Sequence, residues 1–96
     1  MNVIDNSAER QFEIHDGERP ATLSYSVHGG DLYLIHTEVP KPLEGRGYAS
    51  ALAQAALEHA RREHMRVVPR CPFVRAYIRR HPEYSSLVDH EHRAAD

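Results

Sequence analysis

Ninety-six residues, 41% of them hydrophobic and 27% charged, suffice for one small soluble domain and exclude a second catalytic unit. A formal net charge of -2 lacks the positive excess that drives non-specific phosphate-backbone binding, so no nucleic-acid partner is expected. The single cysteine cannot close an internal disulfide, no stretch approaches the roughly 20 apolar residues of a membrane span, and Met1–Asn6 lacks a basic-then-apolar leader; these features fit a cytoplasmic protein with no membrane partner.

Residues 1–9 are polar except for Val3 and Ile4 and leave a frayed end or a short edge strand open. Gln11–His15 alternates apolar and polar side chains, Asp16-Gly17 supplies a hairpin-type turn, and Ala21–Val27 alternates again. Gly29-Gly30-Asp31 marks a second tight turn. The apolar, β-branched run Leu32–Val39 then reads as a strand buried on both faces. Pro40 and Pro42 end it, since neither can donate to a ladder.

The period then changes. From Tyr48 to His64 an apolar stripe of Tyr48, Leu52, Ala56 and Ala60, flanked by Ala49, Ala53 and Leu57, predicts an alanine-rich helix. Arg66–Pro69 is a fourth short strand, and Phe73–Arg80 a second helix with Pro72 near its start and His81-Pro82 as its stop. Residues 89–96 read as a polar, disordered tail, which leaves 10–88 as the domain. The expected class is α+β, a mixed arrangement with a mostly antiparallel sheet, one parallel strand pair and two main helices. A strand–helix–strand crossover would join 32–39 to 66–69 in parallel and set a glycine-rich turn at a helix N-terminus beside the sheet.

That turn, Glu44-Gly45-Arg46-Gly47-Tyr48-Ala49, has the composition of an anion cradle. Unpaired first-turn amides and the positive end of the helix dipole converge there, and small residues let a phosphate approach the backbone. Eight histidines are scattered: His59 and His64 are five apart on the helix, and His90 and His92 lie in the tail. No spacing matches a structural zinc site, and no metal is expected.

Val39-Pro40-Lys41-Pro42-Leu43-Glu44-Gly45-Arg46-Gly47-Tyr48-Ala49 resembles the acetyl-CoA motif of the GCN5-related N-acetyltransferase (GNAT) superfamily, a strand ending in Val followed by Gln/Arg-x-x-Gly-x-Gly/Ala. Val68–His81 is similar to the second GNAT signature, with Tyr77 at its tyrosine, and Thr37-Glu38-Val39-Pro40, Gly45-Arg46-Gly47, Cys71-Pro72-Phe73 and His81-Pro82-Glu83-Tyr84 together resemble the small YjdJ-type branch. The resemblance covers roughly residues 10–88. It implies a minimal acetyltransferase that binds acetyl-CoA through Val39, Glu44, Gly45, Arg46, Gly47, Tyr48 and Ala49 and passes the acetyl group to an amine by direct attack. An acyl-CoA-binding sensor without turnover is the alternative.

Three departures stand out. Glu44 occupies a position where Gln or Arg is usual, Cys71 stands near the usual Asn, and His81-Pro82 replaces Gly-Phe. The turns at Asp16-Gly17 and Gly29-Gly30 leave no room for the two helices that commonly build the acceptor side, so that side is expected to be open or completed by another protein, and a homodimer remains open.

The resemblance makes Tyr77 the candidate acid for the departing thiolate, the alternative being a packed helix tyrosine. His36 and Glu38, two apart on a strand, project to one face, where either could take the amine proton; Glu38 paired with an arginine is the bland reading. Cys71 follows Arg70 and precedes Pro72 near a helix start, features that favour thiolate, yet direct transfer is the habit of the superfamily and Cys71 is expected beside the acyl group without a covalent role. The acceptor, whether a small amine, a polyamine or a protein lysine, is not specified by any motif.

Overall fold

The computed structural model describes residues 1–89. Its elements are β1 (Ile4–Asn6), β2 (Gln11–Ile14), β3 (Ala21–His28), β4 (Asp31–Glu38), a 3-10 turn (Lys41–Leu43), α1 (Tyr48–Arg62), β5 (Arg66–Pro69), α2 (Pro72–Arg80) and a 3-10 segment (Pro82–Leu87). One sheet runs in the order β1-β2-β3-β4-β5, antiparallel up to β4 and parallel between β4 and β5. This is the α+β arrangement that the change of period predicts. The N-terminal segment is an edge strand, with Ile4 opposite Glu13. Of the expected tail, residues 90–96 lie outside the described residues; the Asp89 amide is tied to the Val67 carbonyl at 2.9 Å, beside a parallel bridge from Val88 to Val67.

The turns show how local chemistry sets the register. His28 pairs with Asp31 across Gly29 and Gly30, whose φ of 58° and 85° meet the demand of a type I′ hairpin for two positive values. The Asp16-Gly17 connection is longer, spanning residues 15–20 between β2 and β3. No helix interrupts either connection, so the sheet lacks extra cover on that side of the chain.

The core forms where the period-two faces of β2, β3 and β4 meet the stripe of α1. Phe12, Ile14, Ala21, Leu23, Leu32 and Leu34 are buried against Leu52, Ala53, Ala56, Leu57 and Ala60, all five of which have no exposed surface. Each fully buried Leu contributes about 1.5–3 kcal/mol by removal from water, while the alanines let the helix axis lie close to the sheet. The helix ends at Arg62, two residues before the expected bound at His64. His64 enters the left-handed region at φ 56°, its amide bonds the Arg61 carbonyl at 3.3 Å, and the Met65 amide bonds the Ala60 carbonyl at 2.9 Å. That pair of bonds is a Schellman stop, built here without glycine.

One expectation is corrected. The run in β4 is not buried on both faces: Leu32 and Leu34 are, but Ile35, His36 and Glu38 are exposed. The cause is a one-residue shift of the β3–β4 ladder, in which Tyr25 opposes Leu34 and Ser24 opposes His36, leaving Ile35 as the extra residue of a bulge. Beyond it Thr37 sits opposite buried Leu23 on the core side, and His36 and Glu38 turn the other way.

At the β1–β2 edge, the buried carboxylate of Glu13 accepts hydrogen bonds from Gln11 Nε2 at 2.5 Å and Asn6 Nδ2 at 2.9 Å, with His15 Nε2 at 2.7 Å. The bonds from Gln11 and His15 hold its carboxyl below the usual 4.5 despite the opposing effect of burial. A depressed folded pKa stabilises the protein above pH 4.5, and that contribution is lost as pH falls through the folded value. Glu13→Gln, which cannot ionise, should therefore show a flatter decline of stability than the parent between about pH 5 and pH 3, read by urea unfolding at several pH values. Identical slopes would show that these bonds do not favour the carboxylate over the acid.

Candidate functional site

The site begins where β4 and β5 part. Their parallel ladder covers Asp31–Leu34 against Arg66–Pro69 and stops there. The next amide of the chain on the β4 side, that of Arg70, turns back to the Val68 carbonyl at 3.1 Å, and the Cys71 amide takes the Leu34 carbonyl at 2.9 Å. Arg75 Nη1 then bonds the carbonyls of Pro69 and Arg70 at 3.1 and 2.7 Å and fixes the departing strand. Past this point β4 continues through Glu38 with β3 as its ladder partner among the described residues. Where the two strands part, Thr37 on β4 and Cys71 after β5 meet, with Thr37 Oγ1 and Cys71 Sγ 3.2 Å apart.

Beyond β4 in the chain lies the glycine turn. Gly45 and Gly47 both have φ 79°, and a methyl group built on either would meet no protein atom within 4 Å, so the surface over the turn is open for a ligand. Gly47 is the N-cap of α1 and no side chain caps it; the Ala51 amide closes onto the Gly47 carbonyl at 3.0 Å, leaving the preceding first-turn amides to face outward. Val39, Glu44, Gly45, Gly47, Tyr48 and Ala49, with Leu43, Ser50 and Phe73, wall a hollow of about 290 Å³. Six of the seven residues assigned to the cofactor from sequence are thus gathered around one concavity. The donor set fits a diphosphate, because outward amides at a helix N-terminus are the usual anion partners.

The seventh, Arg46, turns to Asp16, with Nη1 and Oδ2 3.7 Å apart. The Tyr48 hydroxyl donates to the same carboxylate, which is the main reason its phenol pKa is raised. Asp16 was not singled out by any sequence signal beyond its place in a turn, yet it fastens the β2–β3 connection to the glycine turn. Thr37 was missed as well, because only the bulge in β4 turns it toward Cys71.

The remaining candidates are dispersed. Cys71 is buried at 3% exposure and N-caps α2, and the neighbouring Arg70 guanidinium lies 6.0 Å from the Tyr33 ring. Tyr77 is buried six residues along, about 9 Å of helix rise from Cys71. Its ring stacks on His81 at 4.1 Å and tilts against Tyr84 at 6.2 Å; Tyr84 donates to Glu58 at 2.7 Å and lies under the Arg61 guanidinium. Burial, then the carboxylates of Glu83 and Glu58, push the Tyr77 phenol pKa up. His36 and Glu38 share the face of the sheet away from Leu23, and the Ser24 hydroxyl donates to the His36 carbonyl at 3.3 Å. Glu38 lines a second hollow with Arg19 and Lys41.

Comparison with known proteins agrees with this geometry. Residues 11–87 match the GCN5-related N-acetyl-transferase domain family. Protein NATD1 of Homo sapiens is 39% identical over 88 residues, covering 85% of this chain and 75% of its own length, and Protein NATD1 of Danio rerio is 30% identical over 95 residues, covering 94% and 86%. A GCN5-like protein from Staphylococcus aureus, solved by NMR in solution, superposes with a TM-score of 0.71 at 25% identity, over 92% of this chain and 87% of that one. With a family match across most of the described residues, a sheet that parts after β4 and a glycine turn at the start of α1, the chain belongs to the GCN5-related N-acetyltransferase family.

Proposed function

We propose that the protein transfers an acetyl group from acetyl-CoA to a primary amine by direct attack of the amine on the thioester. The observation that carries this reading is the open glycine turn at the N-terminus of α1, whose hollow is also lined by Val39 at the end of β4 and by Phe73 at the start of α2. The diphosphate is received by the amides around Gly45–Ala49, and the pantetheine arm runs from there toward the point where β4 and β5 part, displacing the Thr37–Cys71 contact. The amine nitrogen bonds the carbonyl carbon, the carbon–sulfur bond breaks, the amine gives up a proton and the thiolate takes one. Glu38 or His36, exposed on the same face of β4, accepts the amine proton directly or through water. Tyr77 supplies the thiolate's proton: a phenol is protonated at neutral pH, although burial and the carboxylates of Glu83 and Glu58, which raise its pKa, make it a weaker donor. Cys71 forms a wall of the acyl site, with Thr37 as its hydrogen-bond partner.

Acetyl-CoA titrated calorimetrically into the protein should show saturable binding, and thiol release should rise on addition of amines. Binding with no turnover by any amine would leave an acyl-CoA-binding module in place of an enzyme. At Gly47, φ of 79° strains any L-residue, so Gly47→Ala reports the backbone cost alone. Gly47→Glu adds bulk and charge over the turn and should bind acetyl-CoA at least about tenfold more weakly than Gly47→Ala, about 1.4 kcal/mol. Equal affinities in two folded variants would remove the cofactor assignment.

Tyr77→Phe should lower kcat by about 10²-fold with little change in acetyl-CoA affinity, since an interaction made in the transition state affects turnover and not ground-state binding. Full kcat would leave Tyr77 as a packing residue of the His81–Tyr84 group. For Cys71, intact-protein mass spectrometry after incubation with acetyl-CoA alone should show no stoichiometric adduct, and Cys71→Ala should retain partial activity. An acetyl adduct that an added amine discharges as fast as kcat would make this a two-step enzyme.

A further inference from the structure

The second hollow, on the face of the sheet that α1 does not cover, has a volume of about 420 Å³, within the range of small-molecule sites. It is lined by Glu38, Arg19 and Lys41 together with Gln11 and Thr22, and it shares Val39 with the hollow over the glycine turn. Four pairs of opposite charge come within 4.0 Å elsewhere among the described residues: Asp16 with Arg46, Glu58 with Arg61, Glu13 with His15, Glu83 with His81. The charges around this hollow belong to none of them. Among the described residues Glu38, Arg19 and Lys41 have neither an ion pair within 4.0 Å nor a side-chain hydrogen bond, although two cations and one carboxylate face one concavity. Two cations and an anion held apart around one hollow are complementary to a small molecule bearing both charges.

We infer that this hollow is the acceptor site and that the acceptor is an amino acid, its carboxylate held by Arg19 and Lys41 and its ammonium by Glu38. The inference rests on the acetyl-transfer reading for its catalytic consequence, but the binding it describes does not require turnover. Arg19 is the better carboxylate partner, because its planar fork can donate two parallel hydrogen bonds where Lys41 supplies a point charge. Glu38 then has two tasks in sequence. As a carboxylate it pairs with the ammonium that the amino acid carries at neutral pH, and it takes one proton from it, directly or through water. The neutral nitrogen attacks the thioester from the Glu38 face of β4, opposite the face of Thr37; the second proton passes to water as the nitrogen–carbon bond forms and the carbon–sulfur bond breaks, and the thiolate takes a proton from Tyr77, which regains one from solvent. The balance is an ammonium and a thioester giving an amide, a thiol and one proton. A polyamine would meet Arg19 and Lys41 as like charges, so the same lining that selects an amino acid discriminates against a polycation.

The test compares L-leucine and L-alanine with leucinamide and alaninamide, which keep the amine and lose the carboxylate. In heteronuclear NMR titrations of the labelled protein, the free amino acids should shift the backbone amides of Thr22, Glu38, Val39 and Lys41 saturably. The amides should bind at least about tenfold more weakly, and Arg19→Gln should abolish that preference while leaving calorimetric acetyl-CoA affinity within about twofold of the parent. Shifts of equal size with acid and amide, or none at those positions, would overturn the assignment. So would a loss of acetyl-CoA affinity in Arg19→Gln or Lys41→Gln, which would give the cations to the cofactor's phosphates. In thiol-release assays the free acids should exceed their amides and spermidine in kcat/KM by the same tenfold or more, and spermidine turning over faster would equally overturn it. Amino-acid binding at these residues with no acetyl transfer to any amine would instead count against the enzymatic reading and leave the ligand site standing.

Discussion

Two strands that stay parallel for four pairs and then separate create the space on which the cleft depends. The separation is chemical in origin. The Arg70 amide turns back onto the Val68 carbonyl, so the next amide to reach β4 is that of Cys71, one residue out of step, and Arg75 holds the carbonyls of Pro69 and Arg70 from the first turns of α2. β4 for its part carries a bulge at Ile35, which turns Thr37 toward Cys71 and His36 and Glu38 to the opposite face. Without the bulge, Thr37 and the two candidate bases would exchange faces, since side chains alternate strictly along an unbroken strand. Two local irregularities, one on each strand, thus decide which functional groups can meet.

The glycine turn is held in a second way. Its own sequence provides the left-handed positions at Gly45 and Gly47, but the direction in which the helix sets off is secured from a distant part of the chain, through Asp16 and its contacts with Arg46 and Tyr48. The Asp16 carboxylate, at the edge of the proposed diphosphate site, is partly neutralised by the Arg46 guanidinium beside it, which limits its repulsion of an incoming anion. Glu44, the unusual residue of the turn, lines the same hollow and is exposed, where solvent screens its charge.

Most of the fold was legible because each element signals itself locally. The alternation of Gln11–Ile14, the Gly29-Gly30 turn, the alanine stripe from Tyr48 and the Pro72 start of α2 are all short-range patterns, and the structure has them at those places. The gathering of six cofactor candidates followed from their being contiguous. Less visible was whatever depends on contacts between distant residues or on an insertion in a ladder. The exposure of Ile35 cannot be read from a run that is apolar throughout, and the Schellman stop at His64 uses a residue that gives no stop signal. Asp16 with Tyr48, and Thr37 with Cys71, are pairs 32 and 34 residues apart that no spacing rule joins.

The order of strands in the sheet is also the order in which they occur in the chain. Every new strand up to β4 therefore docks onto one already in place, across a short connection, and such a meander closes its loops at small entropic expense and low contact order. The parallel pair is different, since β5 can dock only after all of α1 has been laid across the sheet. In a folding reaction the cleft between β4 and β5 would then be completed late and reopened early, so that a molecule bridging its two walls acts as a strut on the least cooperative part of the domain. Resistance to unfolding and occupancy of the cleft should be read from the same amides, with the hairpins of the first thirty residues largely indifferent to both.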